Sequence, residues 1–255
     1  MNAAGTSSGK VTYLDNNATT CVAPEVFEAM SPFMTGLYGN PSSIHSFGGQ
    51  VAAHVSKARE SVAALLGAIP TDIIFTSCGT ESDNAAIFSA LALMPARRKF
   101  VTSKVEHPAV LNVGKELLRR GYKVVELPVD SCGSIDLRRV EEAVDGETAL
   151  VSVMWANNET GNIYPVEEIA QIAHRRGSLF HTDAVQAVGK IPVDLSKSAI
   201  DMLSMSGHKL HAPKGIGVLY VRRGIRFRPF MIGGHQERGR RAGTENVPGI
   251  VALGK

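Results

Sequence analysis

The sequence predicts an α/β protein with a mainly parallel central sheet flanked by helices. Two observations carry this. From about residue 70 onward, short apolar runs alternate with segments of helical periodicity, the pattern of strands joined by helical crossovers. One of the runs, Ala149-Leu150-Val151-Ser152-Val153-Met154, is almost unbroken in its apolarity, as expected of a central strand covered on both faces.

The elements follow in order. Ile73 to Thr76 reads as a short buried strand, and Glu81 to Met94 as a helix with Ala85, Ala86, Leu91 and Leu93 among its apolar positions. Lys99 to Ser103 is a second strand. Pro108 opens the next helix at its first position, where the missing N–H costs nothing. In that helix Val110, Val113, Leu117 and Leu118 share a face. Tyr122 to Leu127 is a strand, Asp136 to Val144 a helix, and Pro165 to Arg176 another proline-initiated helix. Ser178 to Thr182, Asp201 to Met205 and Gly217 to Val221 complete the strands. There is no internal repeat and no low-complexity linker.

Composition narrows the function. The 255 residues are 44% hydrophobic and 20% charged, an ordinary globular balance that supports one large domain over residues 13–255. A net charge of +3, with only the short cluster Arg238-Gly239-Arg240-Arg241, argues against nucleic acid as a partner. No run reaches the roughly 18 apolar residues of a membrane span. Residues 1–12 lack the apolar core of a signal peptide and read as a disordered tail. Cys21, Cys78 and Cys132 are odd in number and widely spaced. They predict a reducing, cytoplasmic setting and no metal site.

The polar motifs fall in places that matter. Ser77-Cys78-Gly79-Thr80, Glu106-His107, Asn157-Asn158-Glu159, Asp183 with Gln186, and Ser206-Gly207-His208-Lys209 each follow a predicted strand. In a parallel sheet, ligands sit beyond the carboxyl ends of the strands, so one cofactor site accounts for all of them. Gly79 and Thr80 at a helix start suit a phosphate, although Thr80 also reads as a plain helix cap. His107 reads either as a helix-entry residue or as a plate against a ring, and Asn158 as a turn residue or a ligand contact. Lys209 and Asp183 make the pair that pyridoxal phosphate (PLP) requires. The lysine holds the aldehyde as a Schiff base, and the aspartate keeps the pyridine nitrogen protonated.

Tyr13 to Thr20, Gly39-Asn40-Pro41-Ser42-Ser43, Thr76 to Asn84, Glu106-His107-Pro108, Asn157 to Gly161, His181 to Gln186, Ser206 to Lys209 and Gly233 to Asn246 together resemble the cysteine desulfurases, class-V aminotransferase-like PLP enzymes. Val153 to Gly161 and Ser77 to Thr80 are most similar to the NifS branch. The resemblance runs from about Tyr13 to the end of the chain. It implies the large domain of fold type I, a homodimer, and L-cysteine converted to L-alanine. The sulfur would pass as an enzyme persulfide to an iron–sulfur scaffold protein, with nitrogenase maturation as the implied setting.

The same resemblance implies residue roles. Lys209 would carry PLP and move the substrate Cα proton. Asp183 would pair with the ring nitrogen, Gln186 with the ring hydroxyl, and His107 would stack on the ring. Thr80, beside Gly79, would hold the phosphate with Ser206 and His208. Thr244 would reach the phosphate of the partner subunit, and Asn158 would orient the substrate. The family's sulfur-accepting cysteine and its carboxylate-binding arginine lie beyond the position matching Lys255. The expectation is therefore a cofactor domain without the C-terminal small domain. A selenocysteine lyase, another aminotransferase-like enzyme, or a silent PLP-binding scaffold stand as alternatives.

Overall fold

The computed structural model describes residues 12–255; the expected N-terminal tail, but for Thr12, lies outside the described residues. Seven strands, β1 (Ile73–Thr76), β2 (Lys99–Ser103), β3 (Lys123–Leu127), β4 (Thr148–Ser152), β5 (Leu179–Asp183), β6 (Met202–Ser206) and β7 (Gly217–Val221), form one sheet in the order β1-β7-β6-β5-β4-β2-β3. β7 is antiparallel to both of its neighbours, and all the other pairings are parallel. The carboxyl ends of β1, β2, β4, β5 and β6 therefore meet at one edge.

Alternate strand residues feed two apolar layers. Ile74, Phe100, Leu150, Leu179, Met202 and Leu219 face α4 (Gly79–Leu93) and α5 (Pro108–Arg119). Phe75, Val101, Val151, Phe180, Leu203 and Val218 belong to the other layer, with α3 (Ser46–Leu65), α6 (Leu137–Ala143), α7 (Val166–Arg175) and α8 (Val247–Gly254). Covering on both faces is why the strands read as continuous apolar runs. Two short helices, α1 (Pro24–Met30) and α2 (Pro32–Thr35), precede α3.

The expected boundaries shift for local reasons. The first crossover helix starts at Gly79 rather than Glu81, with Cys78 at its N-cap. Asp136 caps α6 instead of belonging to it, its carboxylate accepting the Arg138 N–H. β4 stops at Ser152 because the Met154 N–H turns to the Glu106 carboxylate. The 20-residue α3 was outside the sequence expectations. Gly48 and Gly49 sit in its first turn, and Gly48 leaves no room for a Cβ, with Asn40 O only 2.7 Å from where one would stand.

One buried ion pair ties α3 to the C-terminal loop. Arg59 reaches the Glu237 carboxylate with both terminal nitrogens, at 2.7 and 2.6 Å. Glu237 also accepts the Phe75 N–H at 3.0 Å, and the guanidinium lies 4.6 Å over the Phe75 ring. Removing one partner strands the other charge in the interior. Arg59→Ala is expected to cost about 3–5 kcal/mol in a denaturant titration; a loss below about 1 kcal/mol would show the pair to be dispensable.

Candidate active site

The strand-end loops enclose a cavity of about 670 Å³ at the sheet edge. Every sequence-predicted site residue except Thr244 lines it. Thr244 lines a separate cavity of about 140 Å³ with Ser77 and Gly243.

One end of the cavity is built for an anion. The first turn of α4 has no side-chain cap at Cys78, which leaves backbone N–H groups and the positive end of the helix facing the space. Gly79 is required here: a Cβ would stand 2.8 Å from Val185 Cγ2 and 3.6 Å from Ser206 Cβ. The Ser206 hydroxyl is buried and has no hydrogen-bond partner among the described residues, a donor left over for a ligand. Thr80 is exposed beside it. His208 is half-buried, with Nδ1 3.1 Å from Thr19 Oγ1. Burial, and then the Lys209 and Lys214 cations, hold its pKa below the ordinary value.

The other end carries a charge pair. Asp183 is the last residue of β5, 5% exposed, and accepts the Val185 N–H at 2.9 Å. Burial raises its pKa, while the Val185 N–H and the charges of His107 and Lys209 pull it down. Lys209 lies in the single turn Gly207–Lys209 that follows β6 and is half-buried. Its Nζ donates to the carbonyls of Asn17 and Ala18. Burial and then Lys190 lower its pKa, opposed by Asp15 and Asp183. A neutral, nucleophilic amine is therefore closer to hand than on a surface lysine. Lys214 does not line the cavity.

Three further residues frame the opening. His107 is the N-cap of α5, its Nδ1 accepting the Ala109 N–H at 3.1 Å. It is thus a helix-entry residue and a cavity wall together. Asn158 accepts a hydrogen bond from Asn17 Nδ2 through its carbonyl at 3.0 Å, and its side chain donates to Glu159. Gln186 Nε2 donates to Asn17 O at 2.8 Å, and Lys190 donates to Gln186 Oε1. Asn17 thus holds the segment Leu14 to Ala18 against the cavity.

Sequence reasoning missed the buried polar groups under the floor. Glu106 accepts the Ser103 hydroxyl at 2.5 Å and the Met154 N–H at 3.0 Å. Burial pushes its pKa up to about 8 against those bonds, with Asp183 adding to the rise. His181 is fully buried, with ring nitrogens 2.8 Å from Ser152 Oγ and 2.9 Å from Ser204 Oγ. Burial holds its pKa down to about 3, so the ring is neutral. Asp83 is 1% exposed and lines the cavity. Its sequence signal was a carboxylate on the same helical face as the apolar Ala86, Ile87 and Ala90.

An uncapped helix start with a spare hydroxyl, a lysine of lowered pKa and a buried carboxylate meet in one cavity, a donor set that suits PLP. The chain belongs to the family described as Aminotransferase class-V, whose model matches residues 12–255. A cysteine desulfurase from Nostoc sp. (strain PCC 7120 / SAG 25.82 / UTEX 2576) is 64% identical over 245 residues, 96% of this chain and 61% of that protein. The chain therefore spans about 61% of that relative's length. A solved NifS-like protein superposes with a TM-score of 0.91 at 47% identity, covering 94% of this chain and 67% of that one. SspA in complex with cysteine gives a TM-score of 0.92 at 40% identity, covering 96% and 71%. The cofactor of the family, PLP, suits the donor set found here.

Glu106 makes stability depend on pH. Its carboxyl titrates near 4.5 unperturbed and near 8 when folded. Between those values the folded chain holds a proton that the unfolded chain has released, so this contribution to stability falls as pH rises. Glu106→Gln removes it. The Tm difference, variant minus wild type, should grow by roughly 5–10 °C between pH 5 and pH 8; a flat difference across that range would refute the protonated carboxyl.

Proposed function

We propose that the chain is the cofactor-binding part of a PLP-dependent cysteine desulfurase of the NifS type, taking sulfur from L-cysteine and leaving L-alanine. The observation that carries this reading is the meeting of Lys209, Asp183 and the α4 N-terminus in one cavity. The similarity to a named cysteine desulfurase, and to SspA solved with cysteine, supports the choice of substrate. Supply of sulfur for iron–sulfur clusters, with nitrogenase maturation as the setting, rests on the NifS-like neighbour.

PLP supplies an electron sink that lets the substrate Cα–H bond ionise. Lys209 would attach it and move the Cα proton. Asp183, an anion held by the Val185 N–H, would keep the ring nitrogen protonated. The α4 N-terminus, with Thr80, Ser206 and His208, would bind the phosphate, and Gln186 would bind the ring hydroxyl. His107 would cover the ring, and Asn158 would orient the amino acid. Thr244, which does not reach this chain's own cavity, would complete the phosphate site of a second subunit in a homodimer.

In this reading the sulfur would pass to a thiol other than Cys21, Cys78 and Cys132. Cys21 and Cys132 do not line the cavity. Cys78 does, but it sits at the N-cap of the phosphate-binding helix, where a persulfide would crowd the phosphate.

Borohydride reduction of the PLP-loaded chain should fix the label on Lys209; label on Lys214 would overturn the assignment. Asp183→Asn should slow solvent deuterium exchange at Cα of bound L-alanine by about 10²–10³, by analogy with other lost preorganised charge partners. With L-cysteine and a reductant, this chain alone should form no more than stoichiometric alanine. Multiple turnover would mean that its own cysteines, or the reductant itself, can take the sulfur.

A further inference from the structure

Building on the reading of this cavity as a PLP site, we propose that Asp83 is a positioning residue: a neutral, proton-carrying carboxyl beside Asp183 that leaves Asp183 as the anion for the ring nitrogen. Nothing in the assigned roles uses Asp83, yet it lines the same cavity at 1% exposure, and its Oδ1 has no hydrogen-bond partner among the described residues. A charged carboxylate in that condition is severely penalised, because one of its oxygens has lost water without gaining a donor.

The surroundings of the two carboxyls differ in kind. Asp183 on β5 has a backbone N–H donor and feels the positive charge of Lys209. Asp83 on α4 faces Asp183 from β5, Glu106 from the loop after β2, and Cys78 at the cap of its own helix, and none of them brings it a positive charge. The Ser204 hydroxyl from β6 favours the anion, but weakly against burial. His181 Nε2 lies 3.6 Å from Asp83 Oδ1, but that ring is neutral, and the same nitrogen is 2.9 Å from Ser204 Oγ. Ser204 is in turn the register partner of Asp183 across β5 and β6.

Two carboxyls sharing a buried site do not both ionise, and the proton goes to the one with the poorer partners. Here that is Asp83, whose position is raised well above the ordinary carboxyl range, chiefly by burial. His181 and Ser204, bonded to each other, lie beside it without offering it charge. Asp183 then carries the single negative charge that a protonated pyridine needs.

The test uses the full chain with ¹³C-carboxyl-labelled aspartate. In the cofactor-free protein at pH 7, one aspartate carbon should keep the position of a protonated acid, and Asp83→Asn should remove that signal. In the loaded protein, Asp183→Asn should weaken PLP binding by about tenfold or more and shift its visible absorption. Asp83→Asn should preserve the absorption band at the same pH. Absence of any protonated aspartate at pH 7, or the two variants exchanging roles, overturns the proposal. If wild type fails to bind PLP, the cofactor reading falls, while the cofactor-free spectrum still decides where the proton sits. If Asp83→Asn does not fold, titration of the wild-type signal decides the same point.

Discussion

Direction of the strands governs this molecule. With β1 to β6 pointing one way and β7 alone reversed, loops carrying chemistry can converge at only one edge. The same constraint buries both sheet faces along every strand but the edge strand β3. Function is displaced to the first residues after each strand: Ser77 to Thr80, Glu106 and His107, Asn157 to Glu159, and Lys209. Asp183 and Ser206, the terminal strand residues, are the last positions that the ladder still holds rigid.

Such an edge is electrostatically costly. Glu106, Asp83 and Asp183 gather beneath the cavity with a neutral His181, and the cations that face them come from the loops above. Elsewhere, two carboxylates are held by arginines. Arg59 with Glu237 and Arg241 with Glu81 each form two-pronged contacts. The same Glu81 accepts the Ser77 N–H at 2.8 Å, so the loop that presents Gly79 is braced from outside the site while its inner N–H groups stay free.

Much of this was legible in the sequence. β1, β2 and β7 fall where apolar runs place them, because a strand covered on both faces leaves its mark in composition alone. The convergence of Gly79, Thr80, His107, Asn158, Asp183, Gln186, Ser206, His208 and Lys209 followed from their positions after strands. What escaped notice has a physical reason. α3 begins with a glycine pair, of which close packing demands Gly48, and the pair blurs its periodicity. Asp83 and His181 look like ordinary polar residues inside an element, and only three-dimensional burial reveals that they lack water. Thr244 lines a different cavity of its own chain, and a single sequence carries no signal for where a second copy would place it.

The N-cap role of His107 has an implication for proton bookkeeping. A ring nitrogen that accepts a backbone N–H cannot also carry a hydrogen. The Ala109 N–H therefore selects the tautomer: neutral His107 bears its proton on Nε2, and that atom alone is left for other partners. The ring can give up only its Nε2 hydrogen, and a second proton could enter only at Nδ1, where it would displace the Ala109 N–H from the first turn of α5. A helix start has thus decided the direction in which an imidazole at the cavity wall can donate.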